Sequence, residues 1–374
     1  MRTLTTPRDH NPYQGLLHDA LGGEGVEPEF LAMPTGSRSL NLLLVPVTLL
    51  RARLGGVRIL HVHWVFGLTF AGSESSAVLR RLSQAWFAVI LFWCRLIGVR
   101  VVWTAHNVLP HDRVFHDDRA ARARLLRSSS HVIVHDAAVS EALADLVGGP
   151  SVLPPVTVVP HGSFIDVDAQ APATPTSAAR ERLALPHDRR LLLFFGRVTR
   201  EKGVTDLVEA WSDLAGEHAD ALLVVAGRCT DPGLEAWLRD AADRLAGRLH
   251  LDLRHLPDDD LRDHLVASDV VVMPFRSVTT SGSALMAMAR ARAVVVPDLP
   301  PLASLPDAAC LRYDRRSEHG LRDALTAACV TPADELATAG EAGRTWTAEA
   351  PGWPVAARRT AQVYRRVLEQ RVPR

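Results

Sequence analysis

Short apolar runs alternate with longer helical stretches along the chain, and the alternation restarts after a segment rich in alanine, proline and threonine. Each apolar run ends in a polar, glycine-bearing or proline-bearing turn, as strands do in parallel sheets with crossover helices. Two such halves predict an α/β protein with two doubly wound, Rossmann-like domains facing each other across a cleft. We expect a first domain over 1–165, a linker over 166–183, a second domain over 184–350 and a last segment over 351–374.

The apolar runs and their periodicity also predict the individual elements. In the first half, the expected strands are 3–6, 59–64, 100–104, 131–135 and 156–159, and the expected helices are 12–21, 75–97 and 120–128. In the second half, the expected strands are 191–195, 221–226, 251–254, 270–274 and 293–296, and the expected helices are 204–215, 233–246, 259–267 and 281–290. Ligands of doubly wound domains bind at the carboxyl ends of the strands, so polar residues that follow a strand are the functional candidates.

The composition narrows the class of protein. The 374 residues suffice for two domains of ordinary size, and the 42 basic residues balance the 42 acidic ones, which argues against nucleic acid as a partner. The four cysteines lack CxxC spacing and are expected to be reduced thiols. No signal peptide pattern opens the chain, and its most apolar run, 85–94, has about half the length of a membrane span. We therefore expect a cytoplasmic protein that does not cross a bilayer.

The stretch FFGRVTREKG, residues 194–203, places two cations and two glycines where a strand ends. Gly196 permits a tight turn, and a helix is expected to begin just after Gly203. A helix start offers unpaired N–H groups and a partial positive charge, to which Arg197 adds a forked donor and Lys202 a point charge. This combination suits a diphosphate. The alternative interpretation of the same sequence is an ordinary surface turn with two solvated cations.

A second helix start has a similar character. The stretch RSVTTSGS, residues 276–283, follows an apolar strand and supplies several hydroxyl groups, including those of Thr280, Ser281 and Ser283. Gly282 allows a ligand to approach the backbone closely. Serine and threonine also favour helix starts for capping alone, so a plain N-cap is the alternative. Two anion-suited helix starts in one domain favour a nucleotide diphosphate.

In this order and spacing, the stretches FFGRVTREKGVTDLVEAW, LLVVAGR and LRHLPDDDLRDHLVASDVVVMPF resemble the donor domain of GT-B glycosyltransferases, and most of all glycosyltransferase family 4. The resemblance implies a GT-B architecture and a nucleotide-diphosphate sugar as co-substrate, without a further cofactor. It also implies that the last helix, within 351–374, crosses back onto the first domain.

The resemblance assigns roles to particular residues. Arg197 and Lys202 match the pair that grips the donor diphosphate. Arg228 matches a turn close to the nucleotide, and His255 and Leu256 match a loop that lies against the base. These roles are what membership of the family implies.

The chain departs from the family pattern at one point. Relatives commonly carry two glutamates that flank the loop holding the sugar and the ribose, and the corresponding residues here are Val278 and Met286. Sugar contacts then fall to the hydroxyls and amides of 279–283. The donor sugar and the retaining or inverting stereochemistry are left open by this departure.

The first half carries candidate acceptor contacts in the stretches 7–17 and 61–64. Asn11, Tyr13, His63 and Trp64 all follow predicted strands, and the Trp64 ring can stack on a sugar. We expect only one of His61 and His63 to face the cleft. The two histidines are a weak candidate for a metal site, because no third ligand lies at a useful spacing in the sequence. No metal site is therefore expected.

The stretch WTAHNVLPHD, residues 103–112, holds the catalytic candidates. His106 directly follows a strand and resembles the HN of related acceptor domains, where it can orient the donor sugar or move a proton. A buried histidine bonded to the backbone is the alternative. Asp112 is the reserve general base, which an inverting reaction needs. The other histidines carry no assignment, and His131 and His135 are interpreted as the ends of one strand.

Together these features predict transfer of a hexose from a nucleotide sugar to an acceptor hydroxyl. The helix around 86–97 either fills the first domain's core or touches a membrane surface, and resemblance favours a glycan or a lipid-linked sugar as the acceptor. The enzyme would then be cytoplasmic, with peripheral contact to the inner face of the cell membrane. A nucleotide-sugar 2-epimerase of the same fold and a non-catalytic nucleotide-sugar binding protein are the alternatives.

Overall fold

The computed structural model describes residues 1–8, 12–109, 113–163, 174–278 and 281–369. The chain forms two compact units. Unit 1 comprises Met1–Gly162 together with Pro351–Arg374, and unit 2 comprises Ser163–Ala350. Each unit is built on one parallel six-stranded sheet with helices packed against it, so the predicted pair of doubly wound α/β domains is confirmed.

Among its described residues, unit 1 contains six strands and five α-helices before the chain continues into unit 2. The strands are β1 Arg2–Thr6, β2 Glu27–Phe30, β3 Ile59–Val62, β4 Arg100–Thr104, β5 His131–Val134 and β6 Val156–Val158. The helices are α1 Pro12–Gly22, α2 Arg38–Leu54, α3 Ala77–Leu96, α4 Asp118–Ser128 and α5 Ala137–Val147. The strand order is β2-β1-β3-β4-β5-β6, so the order in which strands are added to the sheet reverses between β1 and β3. Leu60 and Val62 of β3 point into the main core, whereas His61 lies on the opposite face.

The described part of unit 2 contains six strands and seven α-helices. The strands are β7 Arg190–Phe195, β8 Ala221–Ala226, β9 Leu249–Asp252, β10 Val270–Val272, β11 Ala293–Pro297 and β12 Cys310–Tyr313. The helices are α6 Thr176–Arg182, α7 Val204–Leu214, α8 Pro232–Arg244, α9 Asp258–Ala267, α10 Gly282–Ala289, α11 Gly320–Val330 and α12 Ala333–Glu349. The strand order is β12-β11-β10-β7-β8-β9. Leu192 and Phe194 fill the core on one face of β7, and Leu193 and Phe195 fill a second core on the other face.

The last helix, α13 (Trp353–Glu369), belongs to unit 1, where it packs against α1. The phenol of Tyr364 lies 2.6 Å from Nδ1 of His61, and Arg365 donates a hydrogen bond of 2.9 Å to the carbonyl of Glu24. Gly162 lets the chain pass Trp353 closely, since a Cβ at this position would lie 2.3 Å from the indole ring.

All predicted strands and helices occur, with ends that shift by at most two residues. Sequence analysis missed β2, α2, α5, β12, α11 and α12. The segment predicted as a linker differs most, because it contains α6, whose Ala179 is buried in a unit 2 core. Arg180 is also buried there and donates to the carbonyls of Ala267, His187 and Arg189. The Ala/Pro/Thr composition hid a short helix that is anchored to unit 2.

One helix of the described residues, α3, is long and apolar enough to cross a membrane, with a mean hydropathy of 1.3 over its best window. It is twice as long as the run 85–94 that the sequence analysis weighed. Phe87, Ile90 and Cys94 of this helix are buried in the core of unit 1, and a core helix passes the same test of length and composition.

Candidate functional site

The carboxyl end of β7 forms a turn that the sequence singled out, residues 196–203, here named the cation turn. The order of the unit 2 sheet reverses between β7 and β10, and helices leaving a reversal point open a crevice at the strand ends. Gly196 has φ +108°, in the left-handed region that favours glycine. Gly227, at φ +136°, packs so closely that a Cβ there would lie 1.9 Å from the carbonyl oxygen of Gly196.

The far end of the cation turn approaches β10. A Cβ on Gly203, whose φ is +80°, would lie 1.7 Å from the carbonyl oxygen of Pro274. This close approach places Nζ of Lys202 at 4.8 Å from the centre of the Phe275 ring, a cation–π contact. Burial and the neighbouring Arg197 lower the pKa of Lys202 to about 8. Two cations are therefore held together, and an anion between them would relieve their repulsion.

The start of α10 lies beside the same turn. The hydroxyl of Ser283 is 4.0 Å from the position that a Cβ on Gly196 would occupy. Ser281 is buried, and its hydroxyl accepts a hydrogen bond of 3.0 Å from the N–H of Ala284. Ser281 thus acts as an ordinary N-cap, the alternative recognised for this segment, and Gly282 is the first residue of the helix. Thr280 lies outside the described residues.

The two positions at which the family resemblance implies glutamates are apolar in structure as well as in sequence. Val278 and Met286 are partly buried and pack against a core cluster of unit 2. Their side chains contribute to packing, so a carboxylate for the ribose would have to come from elsewhere.

The predicted nucleotide contacts follow the next two strands. The carbonyl of Arg228 accepts a hydrogen bond of 3.0 Å from Val198, which joins the loop after β8 to the cation turn. His255 is exposed in the loop after β9, and Leu256 packs partly against the core beneath it. Arg254 forms ion pairs with Asp252 and Asp260 that fasten this loop. The cation turn and Arg228 are adjacent, while His255 and Leu256 lie one strand further along.

The carboxyl end of the unit 1 sheet is lined by aromatic rings instead of cations. Four histidines surround the buried ring of Tyr13 edge-on, with ring centres 4.7 to 5.7 Å away. The group, here named the histidine cluster, comprises Tyr13, His63, His106, His135 and His161. Trp353 of α13 adds a further edge-on contact to Tyr13 at 5.2 Å.

His106, the predicted catalytic residue, is held by two neighbours. Its Nε2 lies 3.0 Å from Nδ1 of His63, and the ring of Trp64 stacks on it at 4.5 Å with an interplanar angle of 17°. Nε2 of His63 is buried and has no hydrogen-bond partner among the described residues. An unpaired buried N–H is less acceptable than an unpaired lone pair, so the favoured tautomer of His63 donates through Nδ1. His106 then accepts at Nε2 and carries its own proton on Nδ1.

The cluster is electrically neutral at physiological pH. Burial, reinforced by the neighbouring histidines, lowers the pKa of both His63 and His106 well below the ordinary value. Burial lowers the pKa of His161 to about 3 and that of His135 to about 4. Uncharged imidazoles can exchange hydrogen bonds with hydroxyl groups but offer no positive charge to an anion.

His61 and His63 lie close together, but only His63 belongs to the histidine cluster, and the prediction that one of them faces the cleft stays a prediction. Residues two apart on a strand point to the same face, and the two ring centres are 4.1 Å apart. Both ring nitrogens of His61 are engaged, Nδ1 with Tyr364 and Nε2 with Thr104 at 2.7 Å. Asn11 and Asp112 lie outside the described residues. Among the residues described, no three His, Cys, Asp or Glu side chains group as metal ligands.

Comparisons with known proteins agree with this geometry. Residues 189–328 match the family model described as Glycosyl transferases group 1. A GDP-mannose:glycolipid 4-beta-D-mannosyltransferase from Xanthomonas campestris pv. campestris is 27% identical over 289 residues, 77% of this chain and 70% of that protein. A D-inositol 3-phosphate glycosyltransferase from Kineococcus radiotolerans is 30% identical over 267 residues, 66% of this chain and 60% of that protein. The chain is a glycosyltransferase of the GT-B fold.

A solved structure supports the fold over the full length. An E. coli protein described as trehalose-6-phosphate, bound with UDP-2-fluoro glucose, superposes with a TM-score of 0.73 at 13% identity, covering 100% of both chains. In this glycosyltransferase, the matched region 189–328 contains the whole of the cation turn and α10. Both curated relatives described above are named as transferases, which favours transfer over the epimerase and the binding protein.

Sequence analysis missed His135, His161 and Trp353 as members of the unit 1 site of this glycosyltransferase. His135 was interpreted as a strand end, which is correct, but strand ends at this edge form the site. A usable signal was present: histidines follow β3, β4, β5 and β6, four consecutive neighbours in one parallel sheet.

Proposed function

We propose that this glycosyltransferase moves a hexosyl group from a nucleoside-diphosphate sugar to a hydroxyl group of a glycolipid or glycan intermediate. The observation that carries the proposal is the cation turn, where Arg197 lies close enough to Lys202 to lower its pKa. A diphosphate brings two or more negative charges to this pair and to the N–H groups at the start of α10. The nucleotide sugar is a co-substrate, and no other cofactor is part of the proposal.

GDP-mannose is the first donor to test. The Xanthomonas relative is named for GDP-mannose and a glycolipid, whereas the E. coli structure contains a UDP sugar. Arg228, His255 and Leu256 would then contact the nucleotide, and the segment around Thr280, Gly282 and Ser283 would contact the diphosphate and sugar.

The histidine cluster is proposed to serve the acceptor and the transfer step. With His63 donating to its Nε2, His106 presents an Nδ1–H, which can orient an oxygen of the sugar during transfer. Trp64 and Tyr13 add aromatic surface beside it, and Asn11 completes the proposed acceptor contacts. Asp112, six residues after His106, is the candidate base if transfer inverts the anomeric carbon. If transfer retains configuration, the departing phosphate can take the acceptor proton.

A glycolipid acceptor also sets the place of action. We propose a cytoplasmic enzyme that works at the inner face of the cell membrane and contacts that membrane peripherally.

Thermal unfolding of the full chain with a panel of nucleotide sugars is the direct test. At a ligand concentration of about 100 Kd, binding adds about 2.7 kcal/mol, which corresponds to a rise in Tm of about 5–10 °C for a unit of this size. We expect GDP-mannose or another nucleotide sugar to raise Tm in the wild type, with a much smaller rise in Lys202→Ala.

A transfer assay with the stabilising sugar and a glycolipid extract then separates the functions. Formation of a glycosylated lipid supports the proposal. Conversion of the donor to its 2-epimer would support an epimerase, binding without any product would support a binding protein, and the absence of any stabilising sugar would overturn the donor assignment.

A further inference from the structure

A cavity of about 490 Å³ opens between α3 and α4 of unit 1, and it shares no lining residue with the two sites described above. Its volume lies within the range of small-molecule sites, about 300–1,000 Å³. Phe87 and Ala121, both buried, form its apolar floor. Arg95 of α3 and the exposed Arg124 and Arg127 of α4 line its sides. The cavity, here named the arginine cavity, thus combines an apolar floor with three cations.

The three cations have no counterions in the part of the chain that the structure describes. None of them forms an ion pair or a hydrogen bond with another described residue, and no aspartate or glutamate lines the cavity. Arg95 and Arg127 lie in the last turns of their helices, where a cation complements the helix dipole. Arg124 lies one turn earlier and lacks that role, and it shares one face of α4 with Arg127, so their like charges repel. An anion in the cavity would relieve this repulsion.

A fourth cation on α4 adds to the positive field. Arg122, next to Ala121, is only 3% exposed, and its Nε has no hydrogen-bond partner among the described residues. Its guanidinium lies over the ring of Trp103, 5.5 Å from the ring centre, in a cation–π contact. Burial lowers the pKa of Arg122 to about 10, so the group is still charged at pH 7. Because buried charge is poorly screened by solvent, this helix is more positive than its exposed arginines alone would make it.

Two neutral polar side chains complete the lining of the arginine cavity. Gln84 accepts the N–H of Asp117 at 2.8 Å through its amide oxygen, while its amide nitrogen donates to no described residue. The hydroxyl of Ser128 likewise forms no hydrogen bond with a described residue. Guanidinium, amide and hydroxyl donors are the groups that bind phosphate oxygens. The cavity therefore offers both charge and unused donors to a phosphate group.

Two lining residues also hold the loop between β4 and α4, which follows His106. Gln84 fixes the backbone of Asp117, which is the N-cap of α4. The ring of Phe87 stacks on that of Phe115 in the same loop, with ring centres 5.1 Å apart and an interplanar angle of 20°. A ligand that holds α3 against α4 would therefore also restrain this loop.

We propose that the arginine cavity binds a soluble phosphate monoester, with its phosphate among the three arginines and its organic group against the apolar floor, and that the bound ester restrains the loop after β4. A phosphate monoester carries about −1.5 to −2 charges at pH 7, whereas a carboxylate or a phosphodiester carries only one. The more highly charged anion matches a group of cations without counterions. Binding at this site requires neither donor nor acceptor, so the proposal stands apart from the function proposed above.

Calorimetric titration of the full chain with glucose 6-phosphate tests the site. The cation turn of unit 2 also suits phosphate, so Lys202→Ala serves as the background throughout. We expect glucose 6-phosphate to bind to this background and glucose not to bind. Adding Arg124→Gln with Arg127→Gln should weaken binding at least tenfold, since two charge-assisted contacts are lost. The control, Arg315→Gln with Arg316→Gln, removes the same charge from an exposed segment of unit 2 and should leave binding unchanged.

Amide hydrogen exchange tests the link to the loop. The N–H of Asp117 exchanges only when its bond to Gln84 opens. If opening also releases the ester, a concentration of ten times Kd should slow exchange at this amide about tenfold. The Arg124→Gln, Arg127→Gln variant should show no such slowing. Binding that leaves exchange at Asp117 unchanged would overturn the restraint on the loop.

Other outcomes would overturn the site itself. One is the absence of glucose 6-phosphate binding to the Lys202→Ala background, and another is equal binding after Arg124 and Arg127 are replaced. Inorganic phosphate that binds as tightly as the ester would exclude a contribution from the apolar floor, and with it the monoester. Binding to phosphatidic acid vesicles without binding of glucose 6-phosphate would assign the arginines to a lipid phosphate instead of a soluble one.

Discussion

The carboxyl ends of the two sheets have similar backbone turns but side chains of different chemical character. In both units a parallel strand ends in a polar turn, and glycines allow close approach at the turn. In unit 2 the turn brings Arg197 beside Lys202, whereas in unit 1 the strand ends bring four neutral histidines around Tyr13. One end suits an anion, and the other suits uncharged hydroxyl groups.

The pKa values show why this difference matters. A lowered pKa at Lys202 means that its charged form is disfavoured by burial and by Arg197, and a bound diphosphate would reverse the second effect. Lowered pKa values in the histidine cluster keep the imidazoles neutral, so an anion gains little there. The same direction of shift therefore fits the proposed anion site in unit 2 and the proposed neutral hydrogen-bonding site in unit 1.

The strongest test of the comparison is His106→Ala. If unit 1 serves transfer and unit 2 serves the donor, this change should lower kcat by about 10²–10⁴-fold while leaving the Kd of the nucleotide unchanged. Turnover assays and titration calorimetry measure the two quantities.

His131→Ala is the matched control for His106→Ala. His131 lies on the same sheet but at the opposite, amino-terminal end of β5, where it contacts Thr157. Its loss should leave kcat almost unchanged. A normal kcat for His106→Ala together with an inactive Asp112→Ala would move the essential group to Asp112.

Gly203→Ala tests the backbone contact on which the cation turn depends. The new Cβ would meet the carbonyl oxygen of Pro274 at 1.7 Å, and the left-handed φ adds strain. Together these effects should lower the free energy of unfolding by about 3 kcal/mol. Thermal or denaturant unfolding provides the measurement.

Gly247→Ala separates the two causes in that prediction. Gly247 also has a left-handed φ, of +79°, but no atom lies within 4 Å of its would-be Cβ. We expect a loss of about 1 kcal/mol there, from strain alone. Equal losses at the two glycines would show that the contact with Pro274 is unimportant.

Much of the fold could be predicted because its strands are apolar runs buried on both sides. The missed elements lack that signature. β2 is a half-exposed edge strand with the sequence EPEF, and α2 contains Pro46, which ordinarily argues against a helix. Tertiary contacts, including the indole of Trp86, satisfy the carbonyl that this proline leaves unpaired.

The two sites differ in how well sequence could predict them. The cation turn is local, since Gly196, Arg197 and Lys202 lie within seven residues, so its glycines and charges stand out. The histidine cluster depends on four strands arriving in register, and each histidine alone looks like a strand end. Trp353, which adds a further contact to Tyr13 of the cluster, comes from near the other end of the chain.

Arg197→Ala and Lys202→Ala should each weaken nucleotide-sugar binding about tenfold or more, because each removes a charge-assisted contact of about 1.5–3 kcal/mol. The fold should remain intact, as neither side chain fills a core. Arg200→Ala is the control, since Arg200 is an exposed cation of the same turn and lies 3.8 Å from Asp231. Unchanged donor affinity in both site variants would remove the anion site from unit 2.

Donor affinity should also depend on pH through Lys202, whose pKa is about 8. Affinity should fall about fivefold as pH rises from slightly below to one unit above that value, because the unbound lysine loses its charge. Unfolding free energy should change in the opposite direction. The folded-state pKa lies below the unfolded value, so stability contributed by this group increases between about pH 8 and pH 10.5.

Lys202→Arg isolates that effect, because a guanidinium stays charged throughout this range. Calorimetric titration near pH 8.5 in buffers of different ionisation enthalpy should show proton uptake on binding in the wild type and none in the variant. A flat affinity profile in the wild type would contradict the proximity of Arg197 and Lys202 to the diphosphate.

The smallest expected effect is that of metal chelation. Arg197, Lys202 and the N–H groups at the start of α10 together supply positive charge to a diphosphate, which is the task of a divalent cation in other sites. We therefore expect kcat and donor affinity to stay the same in excess EDTA.

The comparison between the units sharpens this test, because neutral histidines are also good ligands for transition metals. If EDTA abolishes turnover and magnesium or manganese restores it, the assignment of diphosphate binding to Arg197, Lys202 and the start of α10 is wrong. If only zinc restores turnover while donor affinity is unaffected, the metal acts at the histidine cluster, and unit 1 would then have a charge that its neutral imidazoles alone do not provide.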